Sequence, residues 1–83
     1  METETKMTAG LLHMITSEVS LDPSFPIDED TDLLLTALVD SLGVVQIVGW
    51  LEDTLSIEIE PTDVVLENFQ TVRQMLAYID RRT

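Results

Sequence analysis

Apolar side chains recur between residues 5 and 19 at Met7, Leu11, Leu12, Met14, Ile15 and Val19. That i, i+4, i+7/8 stripe predicts an amphipathic helix. Pro23 and Pro26 forbid its continuation. A stretch from Ser20 to Asp40 follows, whose first half is rich in turn formers and acids. In its second half Leu33, Leu34, Leu35 and Leu38 need burial, so this half is expected to lie against the helices. Loops this long inside a compact domain are uncommon and usually functional.

A second helix is predicted from Ser41 to about Leu55, with Leu42, Val45, Val48, Leu51 and Leu55 on one face and Ile47 beside them. Asp40 or Ser41 is a natural N-cap, accepting hydrogen bonds from the orphan amides of the first turn. Gly43 and Gly49 within this helix each cost up to about 1 kcal/mol relative to alanine. Residues 55–60 alternate with period two, but no second strand-like segment exists to pair with them. They are expected to form an extended connection. Pro61 suits the first turn of a short helix, about Thr62 to Glu67. Thr71 then caps a last helix whose face is Val72, Met75, Leu76 and Ile79. Arg81 and Arg82 end it, where the helix dipole favours cations. The fold class is all-α: a small four-helix bundle of three longer helices and one short one. A long loop joins the first helix to the second.

The chain has 83 residues, room for one domain (1–83) and no large enclosed active site. At 45% hydrophobic residues it is too apolar for a disordered acidic tail. Its net charge is −12, from 16 acids against four bases. Those bases are Lys6, Arg73, Arg81 and Arg82, so the span from Met7 to Val72 holds none. Nucleic-acid binding, which needs basic residues to neutralise phosphates, is excluded as a main role. An anionic membrane surface is disfavoured for the same reason. Cysteine is absent, which removes disulfides and thiol-based sites. The Met1-Glu2-Thr3-Glu4 start lacks the features of a signal peptide, so a cytoplasmic location is expected.

Asp28, Asp30 and Asp32 match positions 1, 3 and 5 of an EF-hand calcium loop. The glycine and glutamate required later in that loop are replaced by Leu33 and Val39, so a solvated acidic loop is the better reading. Residues 39–43 match a G-x-S-x-G nucleophile elbow except at Val39, and no strand precedes them. The sole histidine, His13, lies in the polar gaps of the first helix. Intrinsic catalysis is not expected. Ser41 stands out because it follows a long loop, opens a helix and is directly preceded by an acid. A phosphate ester there would meet free backbone amides and the positive end of the helix dipole.

The wider context makes that serine specific. Asp30-x-Asp32-Leu33-Leu34, followed by the run from Leu38 to Val48, resembles the phosphopantetheine attachment region of acyl carrier proteins. The likeness continues through Leu51-Glu52-Asp53, Ile57-Glu58-Ile59, Glu67-Asn68-Phe69 and Thr71-Val72 to Tyr78-Ile79. It covers roughly residues 7–80. The resemblance implies that a transferase attaches 4′-phosphopantetheine from coenzyme A to Ser41. Asp40 would then help bind the transferase's magnesium ion, and the carrier itself would hold no metal. Leu42 would dock against enzymes, while Glu52 and Asp53 would meet basic partner surfaces. Leu38 stands where the common G-x-D-S-L has glycine, a variant familiar among freestanding carriers related to D-alanyl and aminoacyl carriers. Gly43 and Gln46 replace acids usual in fatty-acid-synthesis carriers, which weakens that assignment.

The expected function is therefore a freestanding, monomeric acyl or aminoacyl carrier, not an enzyme. Its partners would be a phosphopantetheinyl transferase, an adenylating ligase and downstream acyltransferases or synthases. The helical pattern nearly fills the chain, so action in trans is expected. Gln46, Trp50 and Asp53 share one helical stripe. Trp50 is thus either a boundary residue or part of a docking patch. An activated amino acid is the preferred cargo, with a short or medium acyl chain next. The alternatives of another class are a small acidic interaction module and a calcium-responsive helical protein, neither bearing a prosthetic group.

Overall fold

In the structure, a computed structural model that describes residues 2–82, four α-helices pack around one apolar core. Helix α1 spans Glu2–Met14 and runs into a π-helical turn, Ile15–Val19. Within that wide turn the Ser17 hydroxyl donates back to the His13 carbonyl, a competitor of the helical ladder. Leu11, Met14, Ile15 and Val19 nevertheless all reach the core. The helix starts earlier than the stripe suggested, and its other end falls where expected.

Helix α2, Ser41–Leu55, has the predicted limits and part of the predicted face: Leu51 and Ile47 are buried and Val48 and Leu55 pack against the core, but Leu42 and Val45 do not. It buries Gly43, Ile47 and Leu51, an i, i+4, i+8 row. Leu42 and Val45, assigned to the core by spacing, are 68% and 64% exposed. Glycine explains the choice. A Cβ built at Gly43 would lie 2.7 Å from Val19 Cγ1 and 2.8 Å from Val39 Cγ1, so α2 sits closer there than any side chain permits. Gly49 has open space instead. Gly43→Ala should therefore destabilise the protein, because overpacking of about 1–3 kcal/mol exceeds a propensity gain of up to about 1 kcal/mol. Gly49→Ala should stabilise it by up to that same gain. Opposite shifts in urea midpoint are expected, and shifts of one sign would refute this account of the two glycines.

After α2 the chain is extended, among the described residues without a strand, as expected. Ile57 and Ile59 turn inward, and the Glu52 carboxylate accepts a bond from the Ile59 amide at 2.9 Å. The short helix comes in two pieces where one was predicted. Pro61–Asp63 forms a 3-10 turn, and α3 is Leu66–Phe69. Val65, in an extended conformation, separates them. Helix α4, Val72–Arg82, buries Val72, Met75, Tyr78 and Ile79. Thr71 accepts from the Gln74 amide at 3.1 Å, as a cap should. Tyr78 donates to Asp63 at 2.7 Å and stacks at a tilt on Phe69, with centroids 5.9 Å apart. Arg82 bonds the Glu58 carbonyl, and Arg81 donates to Asn68. The C-terminal bases thus hold α3 and the connection that leads to it.

Candidate functional site

Three backbone ties aim the chain at the start of α2. Leu21 donates to the Leu38 carbonyl at 2.8 Å, Val39 to Leu33 at 3.0 Å and Leu33 to Gln70 at 2.8 Å. Leu33, Leu38 and Val39 are buried, whereas Leu35 is 73% exposed and does not join the core as expected. Ala37 adopts a left-handed φ of 59°, which lets the loop reverse immediately before Leu38.

The loop's acids are spent on this fastening. Asp28 accepts from the Asp30 amide and the Thr31 hydroxyl, and Asp32 accepts from the Leu35 amide and Gln70 Nε2. Arg73 donates to both oxygens of Asp30, at 2.6 and 3.1 Å, and pairs with Glu29 at 3.5 Å. Its bonds and charge hold the Asp30 carboxyl below the usual carboxylate range. Each aspartate of the calcium-like triad therefore serves a different partner. Among the described residues no cluster of three or more His, Cys, Asp or Glu could hold a metal ion. Sequence patterning alone does not assign Arg73 to this loop; its signal is that it is the only Lys or Arg between Met7 and Asp80 in a chain whose loop is rich in acids.

Asp40 is the N-cap of α2. Its Oδ1 accepts from the Gly43 amide at 2.9 Å, and its carbonyl accepts from Val44 at 3.0 Å. Ser41, the first helical residue, is exposed and is not the side chain that caps. Of the two capping candidates, the acid takes the role and leaves the hydroxyl at the surface. Beside Ser41 lies a groove of about 650 Å³ between the loop, α2 and α3. Leu21, Leu34 and Ala37 line it from the loop, Val44 and Val45 from α2, and Val64, Val65, Leu66 and Phe69 from the far side. None of the far-side residues was singled out by spacing. Their signal was an apolar run after a Pro-Thr-Asp turn.

The four residues expected to contact partners divide into two groups. Gln46 and Asp53 are exposed. Trp50 is half-buried: its ring packs at 3.6 Å on the Cβ position of Gly10, so α1 and α2 meet through it. Glu52, also half-buried, holds the Ile59 amide. Leu42 stands free beside Ser41. His13 is exposed on α1. No helix of the described residues is long and apolar enough to cross a membrane.

The residues present suit a phosphopantetheine arm. A surface hydroxyl at a helix start offers an attachment atom, and the backbone amides behind it favour a phosphate. The family model described as "Phosphopantetheine attachment site" matches residues 9–79. A D-alanyl carrier protein of Abiotrophia defectiva is 34% identical over 55 residues, which is 66% of this chain and 70% of that protein. Both findings agree with the helical bundle and with the resemblance carried by the motif. The chain belongs to the phosphopantetheine-attachment family, as a carrier bearing covalent 4′-phosphopantetheine and leaving catalysis to the enzymes it serves.

Proposed function

We propose that Ser41 anchors the phosphopantetheine arm, and that this single-domain carrier works in trans between an adenylating ligase and an acyl-consuming enzyme. The observation that carries this reading is the division of labour at the start of α2: Asp40 caps the helix, and Ser41 stays exposed with its hydroxyl free for esterification. The arm supplies the thiol that a chain without cysteine lacks, and an acyl group travels on it as a thioester. Tethering replaces free diffusion of the intermediate by a high local concentration. The chain's own part is to hold the anchor rigid and to be recognised.

Recognition falls to the surface around Ser41. Leu42 and Val45 offer exposed apolar contact, with Gln46 and Asp53 further along α2. Trp50 and Glu52 add their half-exposed edges at the same helix. Neither α2 nor the loop carries a base, so basic partners are steered inward, more strongly at low salt. The relative's name makes an aminoacyl thioester one candidate cargo. Co-expression with a phosphopantetheinyl transferase should yield a single phosphopantetheine adduct by intact mass, and an unmodified product would refute the reading.

Asp40 combines two roles, and one substitution separates them. Asparagine caps helices about as well as aspartate, so Asp40→Asn should barely change the melting temperature. It removes the charge that would help hold the transferase's magnesium ion. Modification is therefore expected to slow by ten-fold or more. Equal modification rates for the two proteins would leave Asp40 with capping alone.

A further inference from the structure

We infer that Gly43 is a positioning residue for the modification of this carrier: its bare α-carbon is a socket that fixes Asp40 and Ser41 for the transferase. This rests on Ser41 as the attachment point and names what holds that point in place. Three segments meet at the socket. Val19 reaches it from the π-helical turn that ends α1, and Val39 reaches it from the loop, directly before Asp40. The Ser20 amide closes the π-helical turn by donating to the Ile15 carbonyl at 2.7 Å. Wide turns of this kind are frequent at functional sites. The third segment is the first turn of α2, which carries Ser41.

Val19 and Val39 are buried and β-branched, so neither has the room or the rotamers to retreat. A methyl added at Gly43 would stand 2.7 and 2.8 Å from them. Ordinary contact between carbons is about 3.5–4.0 Å, so the overlap pushes on the first turn of α2. The Gly43 amide is also the partner of Asp40 Oδ1, at 2.9 Å. Any shift of Gly43 is therefore passed to the cap, and through it to Ser41. Gly49 on the same helix has open space and takes no part in this lock.

The reaction is sensitive to such a shift. Ser41 Oγ bonds to the phosphorus nearer the pantetheine arm of coenzyme A, and the pyrophosphate bond breaks. Adenosine bisphosphate leaves, and the hydroxyl proton passes to the transferase or to water. The reacting atoms must be aligned at about 3–3.5 Å, and a misplacement of about 1 Å costs up to about 100-fold. A side chain in the socket leaves the helix formed and the serine exposed, and aims its hydroxyl wrongly.

The test follows transferase-catalysed loading of the full apo-chain from coenzyme A by intact mass, at a temperature where circular dichroism shows each variant folded. No adduct on the unsubstituted chain would overturn the attachment reading and this inference with it. Gly43→Ala should lower kcat by about ten-fold, with KM for the carrier within about two-fold. Val19→Ala slackens the socket from the other side and should also lower kcat, so it serves alone if Gly43→Ala fails to fold. Two controls separate position from stability. Val72→Ala makes the same change at a buried site on α4, and it should lower the melting temperature about as much as Val19→Ala without slowing loading. Gly49→Ala adds a methyl to α2 in open space and should load at the unsubstituted rate. Gly43→Ala loading as fast as the unsubstituted chain, an equal slowing in Val72→Ala, or a loss confined to KM would overturn the inference alone.

Discussion

Replacing Ser41 by alanine is expected to abolish the phosphopantetheine adduct completely and to leave the fold intact. The separation is unusually clean because Ser41 takes no part in capping. The Gly43 amide is satisfied by Asp40, and Ser41 is an exposed first-turn residue. Surface substitutions away from caps and core typically change stability by no more than about 0.5 kcal/mol. For a domain of this size that is a shift of about 2–4 °C in melting temperature. Alanine is also the best helix former, which works in the same direction. Asp40→Ala would behave differently, losing about 1 kcal/mol with the cap. Intact mass after co-expression with a transferase reads the first half of the prediction, and a thermal melt reads the second. An adduct that persists on the alanine protein would move the attachment point elsewhere and overturn the assignment of Ser41.

The elements of this fold were largely legible in the chain, and the reason is periodicity. Helices α1 and α4 each carry a single apolar row against polar residues, so the row names the buried face. Leu11, Ile15 and Val19 are buried at one end of the chain, and Val72, Met75 and Ile79 at the other. Helix α2 carries no such contrast. Leu42, Val44, Val45, Ile47, Val48, Leu51 and Leu55 surround most of its circumference, so several faces satisfy the pattern. The tie is broken by Gly43, whose missing side chain admits Val19 and Val39. The contact with Val19 spans 24 residues, and no local rule contains it. The same limit applies to Leu35, whose exposure follows from Asp32 and Thr36 tying up the turn around it.

The site divides along the same line. Ser41 could be named as the expected attachment point because Asp40-Ser41-Leu42 lies within a longer run of residues that resembles the attachment region of acyl carriers. The groove could not be named, because Leu21, Leu34, Val45 and Phe69 are brought together only by the folded loop. Arg73 is the hinge of that assembly. It joins the acidic loop to α4 across 43 residues, through Asp30. Such an exposed pair contributes little energy by itself. Its value lies in position, next to the backbone bond from Arg73 to Glu29 at 3.0 Å.

Phe69 is where the groove and the core share a wall, and Phe69→Ala should produce the largest loss of stability of any change considered. The ring is 1% exposed, packs on Tyr78 and also lines the groove beside Ser41. Phenylalanine-to-alanine changes in cores cost about 3–5 kcal/mol, through lost transfer energy and the cavity left behind. At about 0.05–0.15 kcal/mol per residue, a chain of 83 residues has about 4–12 kcal/mol in all. The substitution therefore removes a large part of the total, and the melting temperature should fall by about 12 °C or more. Phe69→Leu keeps most of the volume and should cost nearer the typical 1 kcal/mol or so. Function should follow a different course. The start of α2 is held by Asp40, Val39 and Gly43, none of which needs the ring. Well below its melting temperature the alanine protein should still take one phosphopantetheine, the converse of Ser41→Ala. A drop of only a few degrees would mean that α3 and its contact with α4 stand outside the cooperative core. Loss of the adduct in protein shown by circular dichroism to be folded would mean that the transferase reads the groove as well as the helix start.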